Sequence, residues 1–286
     1  MTLGNRTFKH AKPSDFNDTE DLTLQSVFPE QTEVALKKIE HSVTDVILQH
    51  LDDPPTCPSP MREGVALIQH LFRTDPEAAN VVKAEMASEG AEPVFDVNHM
   101  RAMVEDVLTK INEHMQASRV LCVTTHRDSE RMWVEYAENH KGIALRIEPN
   151  LAKDSKFKRF RPVIYREKRP SLYEDTDEFI AGALFGDLET RLRAMVEKIV
   201  YTKTLKWAHE SEYRLEIPLR KNETPWNTDP YHPEEITELY LGFAMEKADA
   251  ERIVDMALAV NPHIEIFRVK RWPDGSLGFD HPNSKH

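Results

Sequence analysis

The chain of 286 residues has only two cysteines, Cys57 and Cys122, in no metal-type spacing. That argues against a disulfide framework or a cysteine-built zinc site and fits a reducing compartment. Glycine is scarce too, with nine residues, and neither GxGxxG nor GxxxxGK[ST] occurs. A glycine-loop phosphate cradle is therefore excluded. There is no HExxH and no nucleophile elbow, and the thirteen histidines are scattered. His126 and His140 lie near each other, but the spacing supplies no further ligands, so no metal is expected. No apolar run approaches the roughly 20 residues that span a bilayer. The first residues, MTLGNRTFKHAKPSDFNDTE, lack a signal-type apolar stretch. The expectation is a cytoplasmic protein without a membrane partner.

Positive charge is also in short supply, with a formal net charge of −12. Such acidity repels nucleic acid and anionic membranes at long range. It is uneven: residues 1–118 hold 10 Lys and Arg against 20 Asp and Glu, residues 119–220 hold 20 against 17, and residues 221–286 hold 7 against 12. Only the middle third could offer a phosphate a positive surface. With 40% hydrophobic and 30% charged residues, the composition is that of a globular protein with a sizeable core.

Periodicity predicts a helix over Gln31–Asp52, with Val34, Leu36, Ile39, Val43, Val46 and Ile47 on one stripe. The proline-rich DPPTCPSP of residues 53–60 ends it. Helices are predicted over Met61–Phe72, after Asp75-Pro76, and over Asn98–Gln116. Residues 31–118 thus read as a helical subdomain or insertion within a single α+β domain spanning residues 1–286. Beyond it the pattern turns mixed. Val120–Thr124 and Ile143–Ile147 read as strands, with a helix between them over Ser129–His140 closed by Gly142. Val163–Tyr165, Tyr213–Leu219, Ile236–Leu241 and Ile264–Val269 read as strands. Phe179–Leu205 reads as one long helix, Lys247–Val260 as another, and the tail from Pro273 as loosely structured. Unequal connections and early helices favour α+β with a mixed or antiparallel central sheet.

Three features could carry chemistry. In Trp207–Arg214 (WAHESEYR), Glu210 and Glu212 are two apart at a strand start, so their carboxylates are expected on one face, with Arg214 continuing the row. Such a pair can act as general base and charge stabiliser, or simply form the ion-paired edge of a strand. In the helix Ser129–His140, the spacing of Trp133, Tyr136 and His140 puts all three on one face, to line a cleft or pack a core. The stretch Lys153–Arg169 holds eight basic residues interleaved with Phe157, Phe160 and Tyr165. It suits single-stranded nucleic acid, or a loop whose aromatics anchor it to the core.

Some of these residues also carry a resemblance. Cys122, Trp133, Tyr136, Ala137, His140 and Gly142 follow the pattern CFS…MWxxYAxxHxGxxIxF of the prokaryotic domain of unknown function 2971. Lys206-Trp207-x-x-Glu210-x-Glu212-Tyr213-Arg214 resembles that family's KxxxWxxExEYR, and Pro13–Asp18 resembles its PxxFNDPFD. The resemblance covers residues 8–245. Thr124 stands where the family has Ser, and Thr19-Glu20 replaces Pro-Phe. Family members begin with a YKYR-like strand before the first motif; this chain starts close to that motif, and Arg6 does not match the arginine.

The motif order is similar to that of ADP-ribosyl transferases, which implies a toxin or phage-defence effector with NAD as substrate and a protein or nucleic-acid acceptor. By that analogy Glu212 is the catalytic carboxylate and Glu210 prepares the acceptor. Tyr136 or Trp133 stacks on nicotinamide, Asn17 and Asp18 form the pocket wall, and Thr124, His140 and Arg214 complete the binding set. The rival readings are a non-catalytic interaction module and a nucleic-acid-binding protein using residues 153–169.

Overall fold

A computed structural model describes residues 2–86, 97–218 and 227–281. In chain order the elements are α1 (Thr2–Asn5), β1 (Thr7–His10), α2 (Thr32–Gln49), α3 (Met61–Thr74), α4 (Pro76–Met86), α5 (Val97–Ala117) and β2 (Ser118–Thr124). There follow α6 (Glu130–Tyr136), β3 (Ile143–Ile147), β4 (Arg161–Pro162), β5 (Ile164–Arg166), α7 (Thr176–Phe185), α8 (Leu188–Val200) and β6 (Thr202–Thr204). The chain closes with β7 (Glu212–Pro218), β8 (Asn227–Pro230), β9 (Ile236–Leu241), α9 (Lys247–Val260), β10 (Glu265–Arg271) and β11 (Leu277–Asp280). The fold is α+β, with antiparallel and mixed sheets. It divides into two compact units: residues 1–17, 117–165 and 205–286, and residues 18–116 and 166–204.

The first unit holds most of the strands. Strands β11, β10, β9 and β3 form a mixed four-stranded sheet, in which β9 and β10 are parallel and joined through α9. A parallel pair needs such a crossover, because a hairpin turn cannot reverse the chain twice. Strands β2, β7 and β4 form an antiparallel sheet whose register sets Thr124 opposite Glu212 and Cys122 opposite Arg214. Alternation along β2 and β7 sends Leu121, Leu215 and Ile217 into a core with Leu239 and Leu241 of β9 and Ile253 and Ala257 of α9. Strand β1 pairs with β8, and Ala11 exchanges two 2.8 Å backbone hydrogen bonds with Val120. A strand thus precedes the first motif; Phe8 fixes it by packing on Phe157 and Tyr231. At four residues with one buried side chain, its period is too short to be visible in the sequence.

The second unit is mainly helical. Helix α2 buries Leu36, Ile39, Val43, Val46 and Ile47, the expected stripe, while Val34 stays exposed. Buried Gln69 donates to the carbonyls of His50 and Asp53, satisfying acceptors just past the end of α2. The long helix expected over Phe179–Leu205 is two. Gly186 ends α7, and Asp187 caps α8 by accepting from the Thr190 amide at 2.8 Å.

Three further expectations are corrected. The helix of residues 129–140 stops at Tyr136, because Glu138, Asn139 and His140 all adopt left-handed φ of 50°, 53° and 65°. Gly142 is therefore not that helix's C-terminal glycine; a Cβ there would lie 3.0 Å from the Ala137 backbone, so it serves a close approach. The tail past Pro273 forms β11, paired with β10. Leu219, expected to end the strand after Glu212, lies outside the described residues.

Candidate functional site

Glu210 and Glu212 do not share a strand. Glu210 closes a 3-10 turn over Leu205–Glu210, and Ser211 follows with φ of +43° before β7 begins at Glu212. That kink breaks the strand alternation. Glu210 nevertheless reaches Tyr136, on which Glu212 acts only through its charge. The Tyr136 hydroxyl donates a hydrogen bond to Glu210, the Asn17 side chain bonds Tyr136, and the Glu212 charge acts on it.

Glu212 is buried and accepts a fork from Arg214, with Nε to Oε1 at 2.8 Å and Nη2 to Oε2 at 3.0 Å. Such bidentate charge-assisted pairing fixes both side chains. Arg214 is fully buried, its guanidinium carbon 5.7 Å from the Phe16 ring centroid. The Glu212 amide donates to the Tyr165 hydroxyl at 2.9 Å. Asn17, Tyr136, Glu210, Glu212 and Arg214 thus come together in the first unit, with Thr124 in register beside Glu212. Phe16 and Tyr165 join them; Phe16 sat within the quoted PSDFND motif, while Tyr165 carried no signal beyond being aromatic.

Tyr136 is 52% exposed as a residue, while its hydroxyl bonds a carboxylate that is almost completely buried. Burial, then the hydrogen bond and charge of Glu210, hold its phenol well above the usual tyrosine range. Because the folded pKa is raised, the neutral phenol's contribution to stability is complete below the unfolded value of about 10 and declines as pH rises above it. In an absorbance titration to about pH 11, Tyr136 should remain protonated while unperturbed tyrosines ionise. Tyr136→Phe should remove one late-titrating group and leave Tyr231, whose phenol burial also raises. An unchanged late-titrating count would contradict the Tyr136–Glu210 contact.

The remaining expected residues lie elsewhere. Trp133 and His140 do not share a face with Tyr136. Trp133 is buried with Ala137, Tyr240 and Val269, and its indole donates to the Arg127 carbonyl at 2.8 Å. The reversal after α6 folds the buried His140 ring back between Trp133 and Phe243, at centroid distances of 6.0 and 4.2 Å. Its Nε2 lies 3.2 Å from Glu130. Asp18 belongs to the second unit, where Arg169 pairs with it at 3.3 Å and approaches Asp21 at 3.8 Å.

The basic stretch is extensively engaged. Lys153 pairs with Glu234 and Lys156 with Asp229, while Lys158 donates to the carbonyls of Leu151 and Lys153. Phe157 is buried in the core, as an anchoring aromatic would be.

The first unit also holds a cleft of ≈ 800 Å³, lined from the four-stranded sheet and from the sheet of β2, β7 and β4. Val123 and Thr124 come from β2, Tyr213 from β7, Ala144–Ile147 from β3, Tyr240 from β9 and Phe279 from β11. Phe157, Phe160, Arg127 and Asp128 complete its aromatic and charged lining. Thr124 is the register partner of Glu212 and Tyr213 its chain neighbour; Glu212 itself does not line the cleft, and alternation along β7 sends its side chain to the face opposite Tyr213. Among the described residues no group of three or more histidine, cysteine or acidic side chains could hold a metal, and no helix is long and apolar enough to cross a membrane.

Residues 132–215 match the model of the family described as Protein of unknown function (DUF2971), which bears out the resemblance read from the motifs. That segment holds most of α6 with Tyr136, the basic stretch Lys153–Arg169, and the Glu210–Arg214 corner, so the matched stretch contains most of the cluster. No curated protein and no solved structure matches the chain.

Proposed function

We propose that this chain is a nicotinamide-dinucleotide-consuming enzyme of the ADP-ribosyl transferase type, with its substrate in the aromatic cleft of the first unit. The observation that carries the reading is the convergence of Asn17, Glu210 and Glu212, drawn from separate segments, on Tyr136, in the unit that also holds a cleft large enough for a nucleotide. In that reaction the bond between the nicotinamide nitrogen and ribose C1′ breaks, and the electron pair leaves on neutral nicotinamide. The ribose becomes oxocarbenium-like. A carboxylate beside the developing positive charge stabilises it more than it does the ground state. Glu212 is assigned that role and Glu210 takes the proton of the attacking acceptor. Tyr136 holds Glu210 through its hydroxyl and offers its half-exposed ring for stacking. A role as toxin or defence effector would follow from that reaction.

Incubating the pure protein with labelled NAD and cell lysate, beside Glu212→Gln, tests the reading. Nicotinamide release or label transfer by the parent, reduced at least about 100-fold in the variant, is the expected result. No turnover by a folded parent protein sinks it.

One observation favours a second reading, a non-catalytic interaction module. Arg214 is fully buried and Glu212 is held by it in a two-point fork, as in an internal ion pair that builds the sheet. On this reading Glu212→Gln lowers the melting temperature and there is no turnover to lose.

A further inference from the structure

Arg127 and Arg146 reach the same cleft from the loop after β2 and from β3, and they share one carboxylate. Glu238 of β9 is largely buried, with Oε2 3.4 Å from Arg127 and Oε1 bonded to Arg146. The Arg127 guanidinium carbon lies 5.3 Å from the Tyr240 ring centroid and 4.8 Å from that of Phe279, and the Tyr240 hydroxyl accepts a hydrogen bond from it. Stacking and hydrogen bonding therefore set its plane. About half of each arginine side chain is exposed, at 53% and 49%, against 11% for Glu238. One carboxylate cannot use the N–H donors of two guanidiniums, five on each. Both arginines line a cleft to which Tyr213 and Phe160 contribute half-buried rings.

We propose that Arg127 and Arg146 are the phosphate-binding residues of this cleft, and that its ligand is a nucleotide: a flat base against the aromatic lining and a phosphate or pyrophosphate across the two guanidiniums. The assignment rests on the reading of the cleft as the substrate site and adds which atoms select the ligand. Glu238 holds the two forks side by side, the arrangement a pyrophosphate's adjacent oxygens require. Charge count narrows the ligand further. Two arginines are offset by Glu238 beneath them, by Glu148 at 3.7 Å from Arg146 and by Asp128 on the lining, so the cleft has no surplus charge to attract a polyanion. Recognition comes from the forks and the rings at short range. A small nucleotide fits this better than a nucleic-acid strand, whose affinity derives from many neutralised phosphates.

Calorimetric titration of the full chain with ADP-ribose, ADP and adenosine tests the assignment without requiring turnover. ADP-ribose and ADP should bind, adenosine at least about 10-fold more weakly, since a charge-assisted bidentate contact is worth about that factor or more. Arg127→Gln and Arg146→Gln should each weaken ADP-ribose about 10-fold or more and leave adenosine unchanged. Arg127→Lys keeps the charge without the fork and should also weaken ADP-ribose, which covers the case where the glutamine variant fails to fold. Equal affinity for ADP-ribose and adenosine, unaltered binding by all three variants, or no binding by the parent overturns the assignment. So does tighter, steeply salt-dependent binding of a single-stranded oligonucleotide. Arginine-dependent ADP-ribose binding without any NAD turnover would uphold the phosphate site and reject the transferase reading, so the two fail separately.

Discussion

Alanine at position 242 is expected to destabilise the first unit by about 3 kcal/mol or more, beyond the usual range for an added methyl group in a packed interior. A Cβ built on Gly242 would lie 2.0 Å from the His140 carbonyl oxygen, 2.6 Å from its carbon and 2.9 Å from the Gly142 oxygen. All three are backbone atoms, so no side-chain rotation relieves the contact. The backbone is also held: the Ala244 amide donates to the same His140 oxygen at 3.0 Å, and the Gly242 amide to Gly142 at 3.0 Å. Shifting the His140 turn would break those bonds and unstack His140 from Trp133 and Phe243. Gly64→Ala is the control. Gly64 lies in α3, and a Cβ there meets nothing within 4 Å, so the change should stabilise by about 0.5–1 kcal/mol. Thermal or urea melting of both variants measures the contrast. A Gly242→Ala protein as stable as its parent would show the turn is not packed as described.

Arg214→Ala is expected to cost about 3–5 kcal/mol, lowering the melting temperature by roughly 6–20 °C. Arg214 is among the largest fully buried side chains, and Glu212, itself 5% exposed, takes both arms of its fork. Removing the guanidinium leaves the Glu212 carboxylate in a dry site without that partner, and the desolvation cost remains without its compensation. A cycle with Glu212→Leu and Arg214→Met, singly and together, separates the pair from its burial. Each single change should be more harmful than the double, which replaces two charges by apolar groups of similar volume. Additive single effects would show that the two residues are held independently.

Both predictions concern residues of the quoted motifs or their neighbours, and together they divide the motif by task. Trp133, Ala137, His140 and Gly142 build a tight turn over β9, a packing role. Tyr136 leaves that turn outward and meets Glu210. The i, i+3, i+7 spacing could not separate these roles, because it presumes a helix that runs to residue 140. Three consecutive left-handed residues ended it early, and the first of them, Glu138, is not a type that announces such a conformation.

Local pattern alone determined a good deal of this protein. The stripe of α2, the proline break after it, α9, and strands β3, β7 and β9 all follow from spacing that a single element repeats along itself. The residues Asn17, Tyr136, Glu210, Glu212 and Arg214 were legible as motif positions, and the α+β class followed from element order. What only the tertiary structure decided was every relation between distant segments. The pairing of β1 with β8 and of β10 with β11 involves, in β1, β8 and β11, strands of four residues, too short to show a period. The meeting of Tyr136 with Glu210 depends on a kink at Ser211. The cleft takes its lining from five strands and two loops, so no window of sequence contains its composition. Periodicity records what one element buries; which elements share that burial is set by long-range packing, and a site assembled between strands belongs to the packing.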